Sequence, residues 1–248
     1  MGVWLNSLVS VIIVSLISLV GIFTLLIKED KIKKILLFLV SFSAGALFGG
    51  AFIHLLPEAV EEYGFSVKIS VYLILGILIF FILEKFIHWR HCHIPTSKKH
   101  PHPVAFMNVI GDGLHNLIDG LVIGGSYMAG FSVGFATTIA VILHEVPQEI
   151  GDFGVLLHAG LSKTKALLFN FLSALTAVIG AIISLLIGAK IEGYSLILLP
   201  LTAGGFIYIA GSDLIPELHK ENIPSKSFIQ FIFIILGILV MLLLTFLE

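Results

Sequence analysis

Asp112-Gly113-Leu114-His115-Asn116-Leu117-Ile118-Asp119-Gly120 and His144-Glu145-Val146-Pro147-Gln148-Glu149-Ile150-Gly151-Asp152 are the two polar segments that decide how this chain folds. Both are set in apolar sequence. Five carboxylates fall between 112 and 152, and no Lys or Arg occurs between Lys99 and Lys163. Acidic groups on apolar helices without a basic partner need protons, imidazoles or a cation from outside the chain. Each charge at the centre of a membrane helix costs roughly 2.5–3.5 kcal/mol, so five would total more than about 12 kcal/mol if ionised and unpaired. That approaches the whole stability of an ordinary domain, so a purely structural role is a poor explanation.

Composition places those segments in a bilayer. Of 248 residues, 58% are hydrophobic and 12% charged, with a mean hydropathy of +1.09. Soluble domains carry roughly 25% charged residues. Apolar runs of membrane-spanning length recur along the chain, giving an all-α polytopic membrane protein with eight expected spans near 8–27, 35–56, 69–87, 104–129, 131–159, 166–188, 195–218 and 228–247. Residues 1–248 are expected to form a single transmembrane domain. No basic tract suggests nucleic acid, and the single cysteine, Cys92, excludes an internal disulfide. No Lys or Arg precedes Lys28, so the first span is expected to be retained rather than cleaved as a signal peptide.

Charge orients the spans. Lys28, Lys31, Lys33 and Lys34, Lys85, Arg90, Lys98 and Lys99, Lys163 and Lys165, and Lys220 and Lys226 follow spans one, three, five and seven; the opposite side has only Lys68 and Lys190. The positive-inside rule then puts both termini on the external side of a cell (inner) membrane. Ala44–Glu58 aligns with Ala203–Glu217 at six identical positions of fifteen, including a shared Leu-x-Pro-Glu. Those spans run in opposite directions, so spans 1–3 and 6–8 are expected to form an inverted repeat around a central hairpin of spans four and five, as in many transporters. The segment about 88–103, with His88, His91, Cys92, His93, His100 and His102, falls on the cytoplasmic side, where it reads as a loose metal-binding tract or a solvated linker.

The spacing within the hairpin suits metal. His115 and Asp119 are four apart, as are His144 and Gln148, so each pair shares a helix face. His115 lies about 14 residues before the turn near Ala129–Ser132 and His144 about 13 after it, which puts them at one depth. Imidazoles, carboxylates and the amides of Asn116 and Gln148 suit zinc, iron or manganese better than Cu⁺, and bridging carboxylates could hold two ions. Pro147 withholds a donor from the Leu143 carbonyl and should kink span five.

His115–Gly120 and His144–Phe153 resemble the signatures of the ZIP (ZRT/IRT-like) metal transporter family, the second being close to the His-Glu-x-Pro-His-Glu-x-Gly-Asp form of its LIV-1-like branch. The resemblance extends over the whole chain, although these residues do not include that branch's large extracellular domain. It implies import of a divalent transition metal into the cytoplasm, zinc first, with iron, manganese or cadmium as alternatives. The transported ion would rest on His115, Asp119, His144 and position 148, and a neighbour on Asn116, Asp119, Glu145 and position 148. His54 matches a polar position on the external approach. Asp112, Glu149, Asp152, His158 and Asp213 are secondary candidates along the path. Gln148 stands where the branch has His, and Leu143 where it often has Cys. Expected partners are the bilayer and the metal, with pairing into a homodimer left open.

Three other readings compete. His144-Glu145-Val146-Pro147-Gln148 approximates the His-Glu-x-x-His of an intramembrane zinc protease, but Gln148 replaces the second ligand. A proton-coupled carrier of an organic solute would use the carboxylates but has little need of paired histidines. Efflux instead of import is opposed only by the resemblance. The expectation is a transporter, not an enzyme.

Overall fold

The computed structural model describes residues 2–24, 29–88 and 103–247, and every regular element among them is helical. Helix α1 (Gly2–Ile17) continues through a 3-10 turn, Ser18–Val20, into Gly21–Thr24. Helix α2 comprises Glu29–Gly49, a π-helical segment Gly50–Leu55, and Leu56–Tyr63. Helix α3 is Val67–His88, α4 Pro103–Ala129 and α5 Phe131–His158. Helix α6 is Lys163–Ala174 followed by Thr176–Gly188. Helix α7 joins Tyr194–Tyr208, a π segment Ile209–Leu214 and Ile215–Leu218, and α8 is Pro224–Leu244 with a 3-10 end, Thr245–Leu247.

Polarity is arranged for lipid. Leu5, Phe228 and Leu243 are each more than 60% exposed, whereas Glu145 and Glu149 are fully enclosed. A water-soluble domain could not carry so much large apolar surface. Among the described residues, five stretches are long and apolar enough to cross a membrane (Gly2–Val20, Phe38–Tyr63, Lys163–Gly188, Tyr194–Ser212 and Pro224–Leu244), and α3 contains a shorter apolar run, Val67–Leu83. Helices α4 and α5 carry the polar clusters instead.

The two π segments fall at equivalent positions of the Ala44–Glu58 and Ala203–Glu217 alignment: Gly50 matches Ile209 and Leu55 matches Leu214. Pro57 and Pro216 follow each by two residues. A proline ring clashes with the carbonyl four residues back, and a wider turn relieves that clash without breaking the rod. The shared Leu-x-Pro-Glu is thus a local instruction for a π bulge, a feature frequent at functional sites.

Glycines set how near the helices approach. A Cβ on Gly45 of α2 would meet the Ile234 carbonyl of α8 at 2.0 Å, and one on Gly237 of α8 the Phe42 carbonyl at 2.1 Å. Gly76 of α3 and Gly204 of α7 stand in the same reciprocal relation to the carbonyls of Leu201 and Leu73, at 2.0 and 2.1 Å. A third pair joins α4 to α6: Gly120 faces the Ala177 carbonyl at 1.9 Å and Gly180 the Leu117 carbonyl at 2.0 Å. Backbones pack this closely only where no side chain intervenes, the usual device of membrane helices.

Only Gly130 separates α4 from α5, a tighter link than the expected four-residue turn. The hairpin's helices keep almost the expected bounds. Elsewhere the boundaries move. Helix α1 starts at Gly2 instead of 8, α2 passes its proline to Tyr63, and α6 breaks at Leu175. At that break the Ser173 and Thr176 hydroxyls stand 2.9 and 2.7 Å from the carbonyls of Asn170 and Ser173 on their own helix, alternative acceptors to those each hydroxyl meets on α4, and such side chains compete with the helical ladder. Helix α5 runs through Pro147 from Phe131 to His158.

Candidate metal site

His115 and Asp119 project from α4, and His144 and Glu145 from α5, into one buried cluster. One donor atom from each lies within 4.8 Å of all the others. His115 Nε2 is 3.3 Å from Asp119 Oδ2 and 3.3 Å from Glu145 Oε1. His144 Nε2 is 3.6 Å from both oxygens, and the two Nε2 atoms are 3.4 Å apart. A tetrahedron around zinc with bonds of about 2.0–2.1 Å has edges of about 3.3–3.4 Å. Five of the six edges therefore already match four-coordinate zinc to within a few tenths of an ångström.

Tautomer and burial favour the same reading. His144 Nδ1 lies 3.0 Å from the Ala140 carbonyl, which can only accept. The proton therefore sits on Nδ1, leaving the Nε2 lone pair to the cluster, the arrangement typical of metal-bound imidazoles. Asp119 Oδ2 and both Glu145 carboxylate oxygens are buried without a hydrogen bond. Such orphaned atoms are costly, and a cation would satisfy them together. Phe80 of α3 stands edge-on to the His115 ring at 6.4 Å, and Phe206 of α7 to the His144 ring at 6.0 Å, so aromatic rings wall both imidazoles.

The expected donors are spread around this point. Glu145, grouped by the resemblance with a second ion, belongs to the tight set. Gln148 follows one turn after His144 and is half-buried. Asn116 is fully buried, its Nδ2 donating to Asp112 Oδ1 at 2.9 Å. Asp112 also accepts from the Ser173 hydroxyl. Glu149 is enclosed, with its Oε2 accepting from Asn170 Nδ2 at 2.5 Å. Asp152 is half-buried on the same helix. Asp112, Glu149 and Asp152 thus lie outside the four-donor cluster. His54, in the π segment of α2, is buried with Nε2 2.8 Å from the Met241 carbonyl of α8, so that nitrogen is already occupied. The backbones of His88, His158 and Asp213 lie in described helices but their side chains do not, and His91, Cys92, His93, His100 and His102 lie outside the described residues.

Sequence reading missed the support around the cluster. Asn170, Ser173 and Thr176 follow at intervals of three along α6, and all bond to α4 or α5, Thr176 through the Gly113 carbonyl at 2.5 Å. That polar spacing in an apolar span was the available signal. Ser43 of α2 was also missed. Its hydroxyl donates to the Leu143 carbonyl, the one Pro147 leaves without a helical partner.

A cluster of imidazole and carboxylate donors, sealed among membrane-length apolar helices and lacking a basic partner on α4 and α5, defines a membrane protein built to handle a metal cation. The chain matches the ZIP zinc transporter family over residues 1–105 and 102–245, and it belongs to that family. It is 31% identical to zinc transporter zipt-7.1 of Caenorhabditis briggsae over 89% of this chain and 71% of that protein. It is 27% identical to human zinc transporter SLC39A7 over 99% and 71%, respectively. Human zinc transporter ZIP10 is 40% identical over 57% of this chain, a match covering 18% of that longer protein. The chain is accordingly an integral membrane transporter of metal ions, not an enzyme.

Proposed function

We propose that this protein imports a divalent transition metal ion, zinc first and iron, manganese or cadmium next, into the cytoplasm through the His115–Asp119–His144–Glu145 cluster. The observation that carries this reading is the near-tetrahedral convergence of those four donors in a chain whose relatives are named zinc transporters. Asn116 and Gln148 extend the donor set and could hold a second ion beside the first.

In this reading eight spans cross a cell membrane with both termini outside, as the distribution of basic residues favours. Spans 1–3 and 6–8 form the inverted repeat. Its support is the matched π segments and the matched glycine contacts, Gly45 with Gly237 and Gly204 with Gly76. An ion leaves water near His54, settles on the cluster, and is released toward Asp152, His158 and the histidine-rich segment when the repeats rock against the central hairpin. Asp213, the repeat's counterpart of His54, lies on the matching stretch of α7.

Zinc uptake into proteoliposomes tests the proposal. Wild type should accumulate Zn²⁺ well above empty vesicles, and His115→Ala and His144→Ala should abolish uptake while remaining folded. Normal uptake by both variants would remove the cluster from the path.

A further inference from the structure

Asn116 has its amide held from one side only. Nδ2 lies 2.9 Å from Asp112 Oδ1 and 3.2 Å from the Asp112 backbone carbonyl. The backbone carbonyl can only accept, so it is the amide nitrogen that faces Asp112, and the carboxyl oxygen is the closer of its two acceptors. The other end of the amide, Oδ1, is consequently turned away, and it is buried without any hydrogen-bond donor. Asp112 is held in turn. Its second oxygen, Oδ2, accepts from the Ser173 hydroxyl of α6, which the Gly120–Ala177 and Gly180–Leu117 contacts press against α4. Ser173 and Asp112 are themselves buried, so no bulk water competes for these bonds.

We infer that Ser173 and Asp112 are positioning residues. Acting through α6 and α4, they fix the rotamer of Asn116 so that its amide oxygen is presented as a hard donor to the transported cation. This deepens the reading of the central cluster as the metal site and rests on it. The ligand class is a divalent cation that accepts oxygen donors beside imidazole, as zinc, iron and manganese do. Outer partners of this kind orient ligands, and their loss typically costs 10–100-fold in metal affinity.

The test is Zn²⁺ uptake into proteoliposomes, resolved into KM and maximal rate. Ser173→Ala should raise KM about tenfold while leaving the maximal rate within about twofold, because the ion's remaining ligands are intact. Ser173→Thr keeps the hydroxyl and should stay within about twofold of wild type in both. The decisive comparison is made in Asn116→Ala protein. There Ser173→Ala should change KM no further, because the oxygen it positions is gone. An unchanged KM in Ser173→Ala, or an equal KM penalty with and without Asn116, overturns the inference. Should Ser173→Ala fail to fold, Ser173→Cys takes its place, with an intermediate KM expected in the wild-type background and none added in Asn116→Ala. His144→Ala run alongside separates the two claims. Its normal uptake would sink the site itself, whereas dead His144→Ala with indifferent Ser173→Ala sinks only the positioning role.

Discussion

Ser43 and Pro147 should be energetically coupled although they lie on different helices. Pro147 has no N–H, so the Leu143 carbonyl, four residues earlier, loses its helical donor. The Ser43 hydroxyl of α2 supplies the replacement. Its alternative acceptor, the Leu39 carbonyl at 2.8 Å, belongs to its own helix, whose ladder already provides a donor. Ser43→Ala therefore leaves one partly buried carbonyl without its donor, at about 1–3 kcal/mol. For a chain of this size each kcal/mol moves the melting temperature by about 2–4 °C, so a loss between about 2 and 12 °C is expected. Pro147→Ala restores the N–H and lets α5 satisfy the carbonyl itself. In that background Ser43→Ala should cost less than about 0.5 kcal/mol, leaving a coupling of at least about 0.5 kcal/mol. Thermal unfolding of the four proteins in detergent, followed by intrinsic fluorescence, measures the cycle. Equal losses from Ser43→Ala in both backgrounds would refute the assignment of that hydroxyl to the carbonyl freed by Pro147.

Two further expectations concern packing and selectivity. Gly180→Ala puts a methyl 2.0 Å from the Leu117 carbonyl, so α4 and α6 must separate. A stability loss at or above the usual overpacking range of about 1–3 kcal/mol should appear as a lowered melting temperature, with weaker Zn²⁺ affinity because Leu117 lies between Asn116 and Ile118. Gly113→Ala, whose added methyl would sit 3.7 Å from Ser173, should melt within about 2 °C of wild type. A melting temperature that falls as far for Gly113→Ala as for Gly180→Ala would contradict the packing argument. Gln148→His adds an imidazole beside the cluster, and competitive uptake should shift toward Zn²⁺ over Mn²⁺ by about tenfold, in keeping with the softer donor. An unaltered preference would mean that position 148 does not touch the ion.

What the sequence made legible follows from where its signals are local. Helices α4 and α5 were read to within a residue because Pro103 and Gly130 punctuate them and the polar pairs repeat at helical spacing. Equal depth for His115 and His144 followed from counting out from the turn, and their Nε2 atoms stand 3.4 Å apart. The start of α1 was misplaced because an apolar run without a cap or charge gives no N-terminal mark. Pro57 looked like the end of a span, yet the π turn before it lets α2 continue to Tyr63. Spacing put His144 and Gln148 on one helix face with Glu145 beside them, and the facing helix brings Glu145 against His115. Which of two neighbouring residues on one helix reaches a ligand depends on the partner helix, and sequence spacing does not encode that rotation. The bonds from Ser173 to Asp112 and from Ser43 to Leu143 join residues 61 and 100 positions apart, which no local pattern predicts.

The four-donor cluster is the proposed resting place of the ion, and X-ray absorption at the zinc edge of the Zn²⁺-loaded protein tests this directly. Nitrogen and oxygen neighbours are expected at about 2.0–2.2 Å, the four donors of the cluster joined by the Asn116 amide oxygen, two of them imidazoles, with the imidazole signal falling to one in His144→Ala and to one in His115→Ala. A zinc spectrum that keeps both imidazoles in each variant would place the ion elsewhere and contradict the account.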